Sequence, residues 1–405
     1  MTNERVTHHF DHHDEGFAKD PWAEYRRIRT ECPVAFSDAY DDGFWVVSRY
    51  DDVKACALDP AIFSSDQDEG LIPNEHGGWL LPVESDPPAT AEYRRLINHV
   101  FTVGAVRAME PSIEAWTNEA IDGFIETGRC DLVADLANQI PAKVTMALVG
   151  WPLEDGLEVV RTIRTHVSRR QGDPVRVETG ERLGRIRSRI MDEIRDRRAV
   201  PGDDLVSHLL ASRIGDRPVT DEEIVALVMM VLFGGVDTTV AAIGNMLMYL
   251  DRDRPMRQRL IDDPGLLAVA VDELLRYEAP VQGFSRVAHE ATEIRGQQIA
   301  EGDAVYLSWA AASRDEEVFP EPDEVRLDRG PNPHLAFGIG VHRCVGATLA
   351  RAELRLVLAA VLARIPDYEV INDEVVHTQT AGTVYARMSI PARFTSGVRL
   401  ELSRL

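Results

Sequence analysis

The feature that most restricts this chain is the run IVALVMMVLFGGVDTTVAAIGNMLMYL, 27 residues from Ile224 to Leu250. A stretch so long and apolar must be withdrawn from water, either across a bilayer or along the centre of a folded core. Its surroundings decide for the core. Thr220 and Glu223 make a capping box at its start, its flanks show no basic bias on one side, and Gly234, Gly235, Asp237, Thr238 and Asn245 interrupt it. The pattern predicts a buried central helix. Two glycines weaken a helix, and a carboxylate in its most apolar turn costs solvation free energy. A cost of that kind marks a site, and a local distortion of the helix is expected there beside a ligand.

A core able to enclose such a helix needs a large chain, and 405 residues, 44% of them hydrophobic, supply one. No Pro/Gly/Ser-rich stretch longer than a loop and no internal repeat divides the sequence, so one domain over residues 1–405 is expected. Helical periodicity covers 22–29, 93–100, 113–126, 132–148, 180–198, 221–250, 266–277 and 347–365. The segment PVAFSDAYDDGFWVVSRY reads as a hairpin, and strand signals return at 304–307 and in VHTQTAGTVYARMSI. The expected class is mainly α with small β-sheets. SSDQDEGLIPNEHGGWLLPVESDPP reads as a long functional loop.

Acidic residues outnumber basic ones 67 to 44, a net charge of −23 that repels phosphate backbones and anionic surfaces. Neither nucleic acid nor a membrane is expected as a partner. Cys32, Cys56, Cys130 and Cys344 are scattered, which fits a reducing cytoplasm. The opening MTNERVTHHFDHHDEGF has no apolar h-region, so no secretory signal is expected. Its His8, His9, His12 and His13 read as a mobile polar terminus rather than a metal site.

FGIGVHRCVG, Phe337 to Gly346, carries the most chemistry. Gly338, Gly340 and Gly346 let backbone wrap closely around Cys344, and a helix follows. Backbone N–H groups and the helix dipole favour a thiolate, so a lowered thiol pKa is expected. A phosphate-cradling loop lacks the Lys-Ser/Thr that should follow. A cysteine nucleophile needs a base, for which His342 lies close in sequence. A thiolate ligand to haem iron needs one cysteine and a loop apposed to a flat cofactor. A merely buried cysteine leaves the three glycines without a reason.

At these residues the chain resembles the cytochromes P-450, the haem-thiolate monooxygenases. Phe337-Gly338-x-Gly340-x-His342-x-Cys344-Val345-Gly346 is similar to their haem-binding signature at every defined position. Glu273-Leu274-Leu275-Arg276 resembles their Glu-x-x-Arg, although a solvated i, i+3 salt bridge alone also accounts for that pair. Gly234-Gly235-Val236-Asp237-Thr238-Thr239 resembles their oxygen-activation groove, and Phe319 to Arg329 their meander. Asp86-Pro87-Pro88 followed by Arg94 extends the likeness.

The resemblance implies the cytochrome P-450 fold, with haem b between the central helix and the cysteine loop. It implies Cys344 as the iron ligand, favouring cleavage of the O–O bond. Asp237 and Thr238 match the acid–alcohol pair of a proton relay, which is preferred to the plainer reading of a buried salt-bridged acid and a back-bonded hydroxyl. His342, Arg286 and Arg94 match propionate contacts, Phe337, Gly338, Gly346 and Gly234 further haem contacts, and Glu273 with Arg276 a structural pair. Two positions depart from the pattern: Thr90 stands where a propionate donor is common, and Glu324 where the arginine completing a Glu-Arg-Arg triad is usual, with Arg326 as a substitute.

The same resemblance implies O2 as co-substrate and electrons from a [2Fe–2S] or similar ferredoxin and its reductase, because the sequence ends about 60 residues after Cys344. Arg94, Arg95, Arg343 and Arg351 are the candidate docking cations, and the chain is expected to be a monomer. Trp79, Leu80, Val83, Phe233, Val236, Gln282, Phe284, Thr383 and Val384 stand at pocket positions. They are mostly apolar, suiting a small hydrophobic substrate. The GGVDT centre and RIPDYEV ending resemble the camphor-hydroxylase branch, so hydroxylation or O-dealkylation of a monoterpenoid or small aromatic ether is expected. A sensor or carrier has no use for the Asp237–Thr238 pair, and a peroxide-driven relative usually lacks it.

Overall fold

The computed structural model describes residues 5–40, 43–66, 80–170, 172–382 and 384–400. The apolar run forms one helix, Asp221–Arg252, with the predicted capping box: Glu223 N donates to Thr220 Oγ1 (3.3 Å), and Thr220 N to Glu223 Oε2 (2.8 Å). Glu223 also accepts from Arg217 (2.7 and 2.8 Å) and Tyr93 (2.7 Å), which holds its carboxyl at about 2. The helix has the length of a membrane span, yet 78% of its most apolar window is buried inside the protein, which accounts for the apolarity. The helix runs without a break through Gly234-Gly235. Tertiary packing along its length outweighs the propensity cost of two glycines.

Around this axis pack helices Gln139–Val149, Gly156–Val167, Pro174–Ala199, Leu267–Glu278 and Ala347–Arg364. The sequence reading missed Gly156–Val167 altogether. It also ran 132–148 as one helix, whereas a π-helical turn over Leu132–Ala137 precedes Gln139.

Five strands form the main sheet: β1 (Val34–Ser37), β2 (Phe44–Val47), β3 (Phe63–Ser64), β4 (Phe284–Ala288) and β5 (Ala304–Leu307), in the order β1-β2-β5-β4-β3. β1 and β2 are the predicted hairpin. In the antiparallel pairing of β4 with β5, Arg286 lies opposite Val305, so the sheet carries that arginine into the interior.

The terminal segment contradicts the expectation of a mobile polar end. His8 N donates to Phe36 O (2.9 Å), and His12 is fully buried against Tyr306 and Phe44. Aromatic burial of Phe10 and Phe17 draws the histidines in with it.

The chain from Phe319 to Gly346 is almost without helix or strand, so side-chain bonds must hold it. Glu273, wholly buried, does much of this. It accepts two bonds from Arg276 (2.8 Å each), one from Arg329 Nε (2.9 Å), one from Arg326 N (2.9 Å) and one from Asn332 (3.1 Å). The third triad member is therefore Arg329. Glu324 contributes only its carbonyl, to Arg276 and Arg329, and the Arg326 guanidinium faces Glu321 and Asp328 at the surface. These donors keep the Glu273 carboxyl below its usual range despite burial. Arg329→Met, which leaves part of a buried charge unpaired, is expected to destabilise the protein by about 3 kcal/mol or more. Arg326→Ala is expected to leave the melting temperature unchanged, and thermal unfolding of both variants checks the assignment.

Candidate active site

In the middle of the central helix, Met230, Gly234, Gly235 and Thr238 are partly accessible while their neighbours are buried. Spaced i, i+4, i+5 and i+8, they form one stripe. A side chain at Gly234 would meet Met230 Cε at 2.7 Å, and one at Gly235 would meet Thr145 Oγ1 at 3.0 Å. The two glycines therefore leave room for Met230 and Thr145. Thr238 Oγ1 donates to Gly234 O (2.8 Å), leaving its oxygen lone pairs free to accept.

Asp237 points the other way, into the core. Its Oδ1 accepts from Arg164 Nε (2.9 Å), and Arg164 spends its remaining donors on Asn138 Oδ1 (2.8 Å) and Arg387 O (2.8 Å). Burial pushes the Asp237 carboxyl above its ordinary value, and Arg164 opposes the shift. Arg164 belongs to the helix that periodicity missed, and nothing in its local sequence marks it as the partner of a residue 73 positions away.

The cysteine loop is built from two left-handed glycines, Gly338 (φ 63°) and Gly340 (φ 73°), a conformation only glycine adopts freely. Cys344 N donates to Phe337 O (2.8 Å), closing the loop before helix Ala347–Arg364. Phe337 lies under the Arg351 guanidinium at 4.5 Å. Gly346 needs no unusual φ; a side chain there would come within 3.9 Å of Cys344 Sγ. The expected lowering of the Cys344 pKa is not found. Desolvation raises it, while the Gly346 N–H, Arg94, Arg343 and Arg351 pull the other way. Cys344 is itself exposed, so this desolvation comes from the surrounding chain and not from an enclosed position, and a coordinated cation there would favour the thiolate.

Arg94 acts on both Cys344 and His342, and Arg286 acts on His342 with Asp86 nearby. Arg286 is 5% exposed, forms no ion pair among the described residues, and burial lowers it to about 10. His342 Nε2 is buried with no hydrogen-bond partner among the described residues, and burial together with Arg286 and Arg94 drives the ring to about 4. Arg94 is lowered by its own burial and feels Cys344 and Arg343. Buried donors so arranged need an anion. The carboxylates of haem answer that need, and the sulfur beside them answers its iron, so the residues fit the cofactor. Thr90 does not join them, because its hydroxyl donates to Ser85 O (2.5 Å).

The remaining positions divide. Phe233, Leu80 and Val384 are buried, with Val384 packed on Ala241 one turn beyond Thr238, and Val83 and Phe284 are partly accessible. Val236 and Gln282 have no exposed surface and pack behind any wall rather than forming it. Trp79 and Thr383 lie outside the described residues. Arg95 is paired with Glu92 (2.9 Å) and Arg351 with Asp272 (2.7 Å), whereas Arg343 is exposed and has no ion pair among the described residues.

Known proteins match this arrangement. The sequence pattern of the family described as Cytochrome P-450 matches residues 184–263 and 249–365. The steroid C26-monooxygenase of Mycobacterium tuberculosis (strain ATCC 25618 / H37Rv) is 33% identical over 386 residues, 93% of this chain and 94% of its own. Among solved structures, CYP109E1 from Bacillus megaterium in complex with testosterone superposes with a TM-score of 0.84 at 30% identity, covering 94% of this chain and 99% of that one. Cytochrome P-450 PksS of the Bacillus subtilis 168 bacillaene polyketide synthase gives 0.86 at 27% identity, covering 95% and 99%. Identity along nearly the whole length, together with a glycine-built cysteine loop near Arg94 and Arg286, places the chain in the cytochrome P-450 family of haem-thiolate monooxygenases.

Proposed function

We propose that Cys344 is the axial thiolate of the haem and that the enzyme uses O2 to hydroxylate or O-dealkylate a small hydrophobic substrate, a monoterpenoid or small aromatic ether. The observation that carries the site assignment is the cluster of buried Arg286, the buried Nε2 of His342 and the partly accessible Arg94, none in an ion pair among the described residues, next to the cysteine loop. When bound, haem supplies a redox-active iron at which O2 is reduced, and its thiolate favours O–O cleavage. One oxygen atom enters the substrate and the other leaves as water, consuming two electrons and two protons.

The chain's own task is to hold the cofactor and move those protons. Arg286, Arg94 and His342 bind the propionates. Thr238 Oγ1, anchored to Gly234 O, keeps acceptor capacity toward the stripe. Asp237 lies in the core, where burial favours its neutral form and Arg164 its charged form, a balance suited to passing protons inward. Electrons come from a ferredoxin and its reductase, with Arg343 the most available docking cation. The apolar wall of Phe233, Leu80, Phe284 and Val384 suits a substrate with few polar groups. A larger, steroid-like substrate is a second reading, favoured by the names of the similar monooxygenase and the testosterone complex.

The reduced, carbon monoxide-treated protein is expected to show the long-wavelength Soret band of thiolate ligation, lost in Cys344→Ala; a band at the histidine position in the wild type rejects the assignment. Spin-state titration with terpenes, alkoxyarenes and steroids separates the two substrate readings. Thr238→Ala is expected to keep that band and the substrate response while diverting electrons to hydrogen peroxide, and full coupling in this variant refutes the relay. Arg286→Leu is expected to speed haem transfer to apomyoglobin by roughly 10- to 100-fold, the worth of one charge-assisted hydrogen bond.

A further inference from the structure

We infer that residues 11–14 form a strap that positions the substrate wall through His12 and His13, seated while both imidazoles are neutral and released when they take up protons.

The inference rests on the reading above, in which the stretches around Phe284 and Val384 wall the substrate space. His12 is 0% exposed, and neither ring nitrogen has a hydrogen-bond partner among the described residues. Its ring stacks on Tyr306 (centroids 5.2 Å, 7°) and lies 4.4 Å from that of His13. Tyr306 in turn fills the space over Gly283, where any side chain would overlap the Tyr306 ring. Gly283 directly precedes Phe284. On the other side, Ala381 N donates to His12 O (3.2 Å), and His13 Nδ1 lies 2.5 Å from Thr380 Oγ1. The His13 ring also occupies the place of any side chain at Gly382. One short segment thus touches one stretch of the wall directly and reaches the other through Tyr306. The turn after helix Gly156–Val167 joins the same cluster, because Gln379 N donates to Ser168 O (3.0 Å).

The groups facing the pair are Asp11, Tyr40 and Tyr306 beside the rings and Arg170 and Arg176 across from His13. Only Asp11 favours a charged imidazole. Burial lowers His12 well below 6.5 and His13 to about 4. The unseated segment therefore binds protons more readily than the seated one. Seating is at full strength above about pH 6.5 and weakens as pH falls toward 4, by up to about tenfold per histidine per pH unit.

Hydrogen exchange of the haem-loaded full chain at about pH 8 and about pH 5.5, corrected for intrinsic rates, tests this. Peptides spanning 8–17, 280–286 and 378–386 are expected to open up to about 100-fold more at the lower pH, with the central helix unchanged. His12→Phe, which keeps an aromatic ring without a titrating group, is expected to cut that response to about tenfold or less. Gly382→Ala is expected to unseat the segment at both pH values. Equal protection of the wild type at the two pH values, or an undiminished response in His12→Phe, overturns the inference. If His12→Phe does not fold, the wild-type comparison alone decides. The readout needs no turnover, so its failure is distinct from failure of the carbon monoxide test.

Discussion

The structure depends on how one buried carboxylate is satisfied. Glu273 sits on a helix that packs against the helix following the cysteine, yet its donors come from the irregular chain between Phe319 and the cysteine loop as well as from Arg276 on its own helix. A charge without solvent is costly unless every lone pair is met. Five hydrogen bonds meet it here, and three of them fix points of a segment that has almost no backbone ladder of its own. Leu335 N on Ser313 Oγ (3.1 Å) and Tyr50 OH on Pro333 O (2.9 Å) complete the anchoring. The position of Cys344 follows from these contacts.

Charge is distributed to the same end. The protein is strongly acidic overall, yet around the cysteine loop it gathers Arg94, Arg286 and Arg343 with a neutral His342. On the central helix the opposite choice is made: Asp237 is buried with its own cation, Arg164, while the adjacent stripe carries only glycine, methionine and a threonine hydroxyl. Paired charge stays in the core, whereas Arg286, Arg94 and His342 form no ion pair among the described residues, with Asp86 the carboxylate nearest in effect to Arg286 and His342. This separation lets one fold contain both a stable ion pair and a binding site made of the same residue types.

Much of this was legible without coordinates. The central helix, its capping box, the hairpin, helix Ala347–Arg364 and the glycine-built loop rest on spacing within one element, which sequence displays directly. Gly234-Gly235 stays within the helix because propensity is a local quantity and packing along the helix outweighs it. The Cys344 thiol is raised rather than lowered although the residue is exposed, because desolvation by the surrounding chain outweighs the Gly346 N–H and the nearby arginines. Arg329 was overlooked in favour of Arg326 because the meander has no period from which to count its register.

The sequence by itself determined the elements, the chemistry of the loop and the family, because each is written in residues close together along the chain. Only the tertiary structure decided the partners: Arg164 for Asp237, Arg329 for Glu273, and Tyr306 for a histidine that composition had assigned to a mobile end. The physical reason is that a buried polar group takes whichever complementary group the packing of distant elements brings within about 3 Å, and no local pattern encodes that distance.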